Sequence, residues 1–305
     1  MKSKNGDRKL AEVKFEKISP ADFFYRNRDI AGFTNPSRSL YTSIRELVEN
    51  SLDACEVGRI LPEIIVELQE VGEGSSEDVK IFRLRVKDNG IGVDAEHIPH
   101  AFATVFYGSK YGYRQSRGTF GLGGTMALLY GQITTNRPVT VISCTNGDIH
   151  EFVLRIDIIK NEPIVLDHKV HKNNDNWRGT LIDYYLEADY TNSKAKIVEY
   201  FRNTAIANPN ASLTFIDPKG RLYHFPRVAE KIPEPPKEAL PHPVGVDVET
   251  MKRLISLTKS ETLLSFLTGS FQRVGPKTAK EVLELAGLPH TLNPKELTHD
   301  QLTAL

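Results

Sequence analysis

Cysteine is scarce. The 305 residues hold two, Cys55 and Cys144, and neither has a second cysteine two positions away. A disulfide framework and a zinc-type cysteine cluster are therefore not expected, and a reducing cytosol is the natural setting. Net charge is absent as well: Lys+Arg and Asp+Glu both total 39. Overall charge thus says nothing of a polyanionic partner, and any basic patch must be local. No stretch approaches the ~18 to 20 consecutive apolar residues of a membrane span. The start, MKSKNGDRKLAEVKFEKIS, lacks the apolar core of a signal peptide. There is no internal repeat. No GxxxxGK[ST] run occurs, and the glycine-rich stretch does not open a βαβ unit, so neither a Walker loop nor a dinucleotide fingerprint is indicated.

What is present is ordinary globular composition, 40% hydrophobic and 26% charged, at a length that suggests two domains with a sizeable core. Residues 1–20 are polar and read as a flexible arm. Asn35 can cap a long helix with Pro36 at its first position. The stripe Ile44, Leu47, Val48, Ser51, Leu52, Cys55 recurs at helical spacing, and Gly58 supplies the stop. Segments 64–70 and 80–88 flank a polar turn and predict an antiparallel hairpin. Helix is expected at 96–107, a loop or lid at 108–124, and helix at 125–131. Strands follow at about 139–145, 149–158, 164–170 and 179–187. A helix at 194–206 and strands at 212–217 and 221–225 complete the domain. Six prolines between 226 and 243, with Pro218 just before them, read as a semi-rigid linker. Beyond it the chain is helical to Leu305, where it stops without a cap and reads as a piece of a longer protein.

Three segments carry chemistry. In RELVENSLDA, Glu46, Asn50 and Asp53 share one helix face, opposite the apolar stripe. A carboxylate there can take a proton from water as general base, and an Asn oxygen suits Mg²⁺, which keeps several waters and binds phosphates directly. The plain alternative is a solvated polar face. In VKDNGIGV, the alternation Phe82, Leu84, Val86, Asp88 turns Asp88 inward with the apolar residues. An inward carboxylate is costly without a donor, and an adenine amino group would supply one. Gly90 and Gly92 leave room for a flat base. A simple Asp-Asn-Gly turn is the alternative. In GSKYGYRQSRGTFGLGGTMAL, Gly118, Gly121, Gly123 and Gly124 precede a helix start, so backbone N–H groups can form an anion site. Lys110, Arg114 and Arg117 add positive charge. Here the alternative is a flexible loop.

The order of these pieces, followed by Gly179-Thr180 on a later strand, resembles the GHKL ATPases. Within that group the chain is most similar to the B subunits of type IIB DNA topoisomerases (topoisomerase VI). The similarity runs through SPADFFYRNRDIAGFTNPSRSLYTSIRELVENSLDA, VKDNGIGV, GSKYGYRQSRGTFGLG, KNEPIV, IPEPPKEALPHPVGVD and FQRVGPKTAKEVLELAGL, from about residue 15 to the end.

The resemblance implies an α+β fold. It comprises a GHKL (Bergerat) two-layer sandwich with a mixed sheet over 21–226, a Pro-rich linker over 227–248, and a small all-α helix-two-turns-helix domain over 249–305. It implies ATP and Mg²⁺ as cofactors, with Glu46 activating water, Asn50 binding the metal, and Asp88 reading adenine with Thr180 in support through water. Asp53 and Gly92 belong to the same site. Ser109 and Lys110 are implied at nucleotide contacts. The phosphate-covering lid would be Gly118, Thr119, Phe120, Gly121, Leu122, Gly123, Gly124 and Thr125; relatives often carry Lys, Ser or Ala where this chain has Gly124-Thr125.

Implied partners are the topoisomerase VI A subunit in an A2B2 heterotetramer, a second B copy on ATP binding with residues 1–20 exchanged, and double-stranded DNA without sequence preference. No membrane is involved, and the setting is the cytoplasm of an archaeal-type cell, at the nucleoid. The family's transducer domain and its lysine have no counterpart here, nor is there a catalytic tyrosine module, so this chain is not expected to cut DNA. Another GHKL ATPase, of chaperone or mismatch-repair type, and a non-hydrolysing nucleotide-dependent dimerisation module are the alternatives.

Between Met251 and Glu281, Lys252, Arg253, Lys259, Arg273, Lys277 and Lys280 stand against Glu261 and Glu281. Backbone N–H groups at Gly275 and Lys277 could hold a phosphate, giving salt-sensitive, sequence-independent binding. A solvated face on a structural domain is the alternative.

Overall fold

The computed structural model describes residues 17–108, 117, 122–234 and 239–305. Most of the expected arm, and Ser109, Lys110, Arg114, Gly118, Thr119, Phe120 and Gly121, lie outside the described residues. Ser19 caps α1 (Pro20–Arg26) by accepting from the Asp22 N–H.

The central helix α2 runs Pro36–Val57, and Asn35 caps it by accepting from Arg38 N at 2.8 Å. Leu40, Ile44, Leu47, Val48, Leu52 and Cys55 on its inner face are buried. Its stop differs from expectation. Gly58 is right-handed, and Arg59 takes the left-handed position at φ 53°. Space is what calls for glycine at 58: a Cβ there would lie 2.5 Å from Ile91 Cγ2.

After α2 the chain forms β1 (Glu63–Glu73) and β2 (Lys80–Lys87), an antiparallel pair with Val66 facing Val86 and Leu68 facing Leu84. Helix α3 covers only Ile98–Ala103 of the helix expected at 96–107. Thr104 turns extended, and Phe106 takes φ 63°. The Val105 peptide is drawn instead to Asn161, whose side chain both accepts from and donates to it. Helix α4 (Gly123–Thr135) starts two residues ahead of expectation. Then come β3 (Val139–Cys144), β4 (Ile149–Asp157), β5 (Glu162–His171), β6 (Gly179–Ala188), α5 (Tyr190–Ala207), β7 (Ser212–Ile216) and β8 (Leu222–Phe225).

The eight strands of the described residues form one sheet in the order β5-β4-β3-β6-β2-β1-β7-β8. The β1–β7 pair is parallel and the other pairs are antiparallel, so the sheet is mixed. Strict alternation gives it one apolar face. Phe82, Leu84 and Val86 of β2 and Ile182, Tyr184 and Leu186 of β6 are buried in a core shared with α2, α4 and α5. Their neighbours on the other face are polar and pair across strands, as in Arg83 Nε to Asp183 Oδ1 at 2.8 Å and Arg85 to Glu67 at 3.1 Å. Such alternation marks a sheet covered on one side.

The chain divides into two compact units, one ending at Ile232 and the other beginning at Pro233. The second unit holds α6 (Val248–Leu257), α7 (Leu263–Ser270), α8 (Pro276–Leu285) and α9 (His299–Ala304) around Leu263, Phe266, Leu267, Phe271, Ala279, Leu283 and Leu302. Gly275 is the N-cap of α8 with no side-chain cap, followed by Pro276, and Arg273, Lys277 and Lys280 are exposed around it. Among the described residues no helix is long and apolar enough to cross a membrane. Both cysteines are buried and free.

Candidate functional site

Asp88 follows the last residue of β2 and points to the helix side of the sheet, as the alternation requires. Only 6% of it is exposed. Three protein donors hold it: Gly90 N at 2.9 Å and Thr180 N at 3.1 Å donate to Oδ1, and Ser51 Oγ donates to Oδ2 at 2.9 Å. Burial raises the carboxyl above its ordinary range, and the hydrogen bonds from Gly90, Ser51 and Thr180 work against that rise. A carboxylate has about four acceptor positions, so one on Oδ2 remains for a further donor.

The supporting residues come from separate elements. Ser51 sits within the apolar stripe of α2, where it reads as a packing residue; an inward Asp88 in need of donors was the one signal for its role. Ser143 went unnoticed in the sequence. It is fully buried, donates to Gly179 O at 2.9 Å, accepts from Val93 N at 2.9 Å, and lies 3.0 Å from Thr180 Oγ1. Thr180 thus touches Asp88 through its N–H and Ser143 through its hydroxyl.

The glycines of this segment serve close backbone approach. Gly92 has φ 72°, and a Cβ there would lie 2.2 Å from Cys144 O. Gly179, at φ 138°, would set a Cβ 2.2 Å from Asp88 O. A Cβ on Gly90 would meet Ala54 Cβ at 2.8 Å, so this glycine lets the turn pack directly on α2. Asn89 ties the turn down, accepting from Glu63 N at 2.8 Å and donating to Leu61 O at 3.0 Å.

The polar face of α2 carries Asn50, next to Ser51 in the chain, and Glu46, one helical turn before Asn50. Arg45 Nη2 donates to Glu46 Oε1, and Arg45 Nε lies 3.8 Å from Glu49. Against this face lies the start of α4. Its N-cap, Leu122, makes no side-chain cap hydrogen bond. A Cβ on Gly123 would fall 1.7 Å from Glu46 Oε2, and one on Gly124 would fall 2.9 Å from Asn50 Nδ2. Glycine is therefore what lets an uncapped helix N-terminus, the positive end of its dipole, rest on a carboxylate and an amide. Thr125, next in the helix, is buried.

Asp53 differs from its expected place as a second carboxylate offered to a cavity. It is 5% exposed, and Arg117 Nη1 donates to its Oδ1 at 2.8 Å. Arg117 also donates to Glu56 Oε2 at 2.7 Å and Asn208 Oδ1 at 2.9 Å. The positive charge expected of Arg117 toward an anion is thus turned onto α2. Among the described residues no group of three or more His, Cys, Asp or Glu side chains could hold a metal ion.

Residues 35–156 match the family described as histidine kinase-, DNA gyrase B-, and HSP90-like ATPase. Over 298 residues, 97% of this chain, the sequence is 44% identical to the B subunit of type 2 DNA topoisomerase 6 from Metallosphaera sedula, covering 55% of that protein. Over 301 residues it is 44% identical to the protein of the same name from Sulfurisphaera tokodaii, covering 97% of this chain and 56% of that one. The chain spans about half the length of the curated relatives it matches. The solved 43K ATPase domain of Thermus thermophilus gyrase B in complex with an aminocoumarin is alike at TM-score 0.47 and 16% identity, covering 68% of this chain and 51% of that one.

Proposed function

Because the chain belongs to the family of the type 2 DNA topoisomerase 6 B subunits, and carries the ATPase-type domain between residues 35 and 156, we propose that it binds and hydrolyses ATP as the nucleotide-responsive part of such a machine. The observation that carries this reading is the uncapped start of α4 resting on Glu46 and Asn50 while Asp88 keeps one acceptor position open.

In this reading the adenine amino group donates to Asp88 Oδ2, with Thr180 supporting the base through water and Gly92 shaping the wall beside it. The backbone N–H groups of Leu122, Gly123, Gly124 and Thr125 receive phosphate oxygens. Ser109, Lys110, Gly118, Thr119, Phe120 and Gly121 are assigned to the nucleotide by family resemblance. Asn50 would hold Mg²⁺, which would neutralise phosphate charge. Glu46 takes the proton from a water whose oxygen bonds to the terminal phosphorus; the bond from that phosphorus to the bridging oxygen breaks, and ADP and phosphate leave. Arg45 orients the Glu46 carboxylate, and Asp53 acts through Arg117.

For the whole protein we propose an ATP-gated clamp. Nucleotide drives dimerisation of two B copies, hydrolysis resets them, and strand passage relaxes supercoiled double-stranded DNA in the cytoplasm, at the nucleoid. Cleavage lies on a separate A subunit in an A2B2 assembly. Residues 21–226 form the nucleotide domain, 227–248 the linker and 249–305 a helix-two-turns-helix module that meets DNA phosphates near Gly275 and Lys277. Light scattering of the chain with and without a non-hydrolysable ATP analogue and Mg²⁺ tests the clamp: the mass is expected to double with nucleotide. A monomer with nucleotide demonstrably bound contradicts it. Glu46→Ala is expected to keep ATP binding and abolish turnover, and unchanged turnover rejects the assigned base.

A further inference from the structure

We infer that Trp177 is a positioning residue for base recognition: from the loop between β5 and β6 it fixes Asp88 through that residue's main chain, without touching nucleotide. Its indole Nε1–H donates to Asp88 O at 3.3 Å. Asp88 N donates in turn to Thr180 O at 2.9 Å. The peptide groups on both sides of the Asp88 Cα are thus held, one by β6 and one by Trp177. Rotation of the side chain is then the freedom left to the carboxylate, and Ser51, Gly90 and Thr180 restrain that. A recognition group is only as well placed as the residues that support it.

The loop is built to hold the indole in place. Asn173 Oδ1 accepts from Trp177 N at 2.8 Å, and Asn173 Nδ2 donates to Trp177 O at 2.7 Å, which closes 173–177 on itself. Lys87 Nζ lies 5.3 Å from the centre of the Trp177 ring, a cation–π contact. Neighbours on a strand point to opposite faces, so Lys87 leaves the sheet on the side away from the helices and from the Asp88 carboxylate. The indole therefore meets Asp88 from behind the base site. The next residue repeats the grip: Arg178 Nε donates to Ile91 O at 3.1 Å. Trp177 and Arg178 together hold two carbonyls of the Asp88–Gly92 turn. Glu46 and Asn50 lie elsewhere, under the start of α4. Loosening Trp177 therefore weakens the contact to the adenine amino group, which ATP makes and GTP does not, and spares the phosphate contacts that both nucleotides share. This inference rests on the ATP reading above.

The test is calorimetric titration of the chain with ATP and with GTP, both with Mg²⁺, for the native protein, Trp177→Phe, Asn173→Ala and Arg178→Ala. Phenylalanine keeps an aromatic ring under Lys87 and removes the indole donor. In Trp177→Phe the preference for ATP over GTP is expected to fall about fivefold, with the GTP dissociation constant within about twofold of native. Asn173→Ala, which frees the Trp177 main chain, and Arg178→Ala, which frees Ile91, should each reproduce a smaller part of that fall. An unchanged preference in Trp177→Phe overturns the inference, and so does equal loss for both nucleotides, the mark of a general weakening of the domain. If Trp177→Phe does not fold, the same criterion applies to Asn173→Ala and Arg178→Ala. Failure of the native chain to bind either nucleotide, or to prefer ATP, would instead sink the ATP reading itself.

Discussion

Ser51 Oγ donates to Asp88 Oδ2 at 2.9 Å, tying the inner face of α2 to the end of β2. The bond crosses the two layers of the domain and converts an inward carboxylate from a burden into a fixed acceptor. Replacing Ser51 with Ala removes a hydrogen bond to a buried charged group, worth about 1.5–3 kcal/mol. Chemical denaturation should report a loss of that size, together with weaker nucleotide binding, since Asp88 would lose its rigid placement. Unchanged stability would mean that the bond is not formed in solution.

Asp88→Asn should behave in the opposite way for stability. The amide oxygen can keep the Gly90 and Thr180 bonds, the amide nitrogen can donate to Ser51, and no charge is buried. We expect stability at neutral pH equal to or above the native value, by up to about 1 kcal/mol, with nucleotide affinity reduced. Because burial raises the folded-state value of Asp88, its contribution is fully present below the unfolded value and is lost as pH rises through the folded one. Denaturation curves from the carboxylate range to neutrality should show this loss in the native chain, and the asparagine variant should lack that component.

Gly123→Ala tests the packing of α4 on Glu46. A Cβ 1.7 Å from Glu46 Oε2 cannot be accommodated without moving that carboxylate or the helix start. Turnover should drop by at least about tenfold, and Glu46→Ala in the same chain should restore the stability lost to crowding without restoring turnover. Wild-type rates in Gly123→Ala would show that Glu46 does not lie under α4.

At Gly92, substitution meets both strain and backbone. The left-handed φ of 72° and a Cβ 2.2 Å from Cys144 O act together, so Gly92→Ala should cost at least about 2 kcal/mol. A thermal midpoint within a degree of the native chain would refute this.

Much of this was legible in the sequence. The Asn35-Pro36 start of α2, the antiparallel hairpin and the inward turn of Asp88 follow from capping and period-two alternation, which are local. The placing of Glu46 and Asn50 on one face follows from helical spacing. What stayed hidden depends on distant neighbours. Ser51 sits in the apolar stripe, and its hydroxyl finds its acceptor at the end of β2. Ser143 lies inside an ordinary strand pattern, and only the packed sheet brings it to Thr180. Gly123 and Gly124 read as loop because glycine disfavours helix, yet close contact with Glu46 and Asn50 outweighs that preference. Arg117 reads as a phosphate-seeking charge, because nothing local announces that Asp53, Glu56 and Asn208 converge on it. The helix expected over 96–107 is cut short for a similar reason, as Asn161 captures the Val105 peptide.

The most direct test of an adenine site at Asp88 is the ratio of ATP to GTP affinity, measured by titration with Mg²⁺ in the native chain and in Asp88→Asn. A carboxylate accepts from the amino group of adenine and repels the carbonyl oxygen that guanine carries there, whereas an amide can donate to that oxygen. The native chain should prefer ATP by at least about tenfold, and the preference should collapse in the variant. An undiminished ATP preference in Asp88→Asn would contradict the assignment of Asp88 to the base.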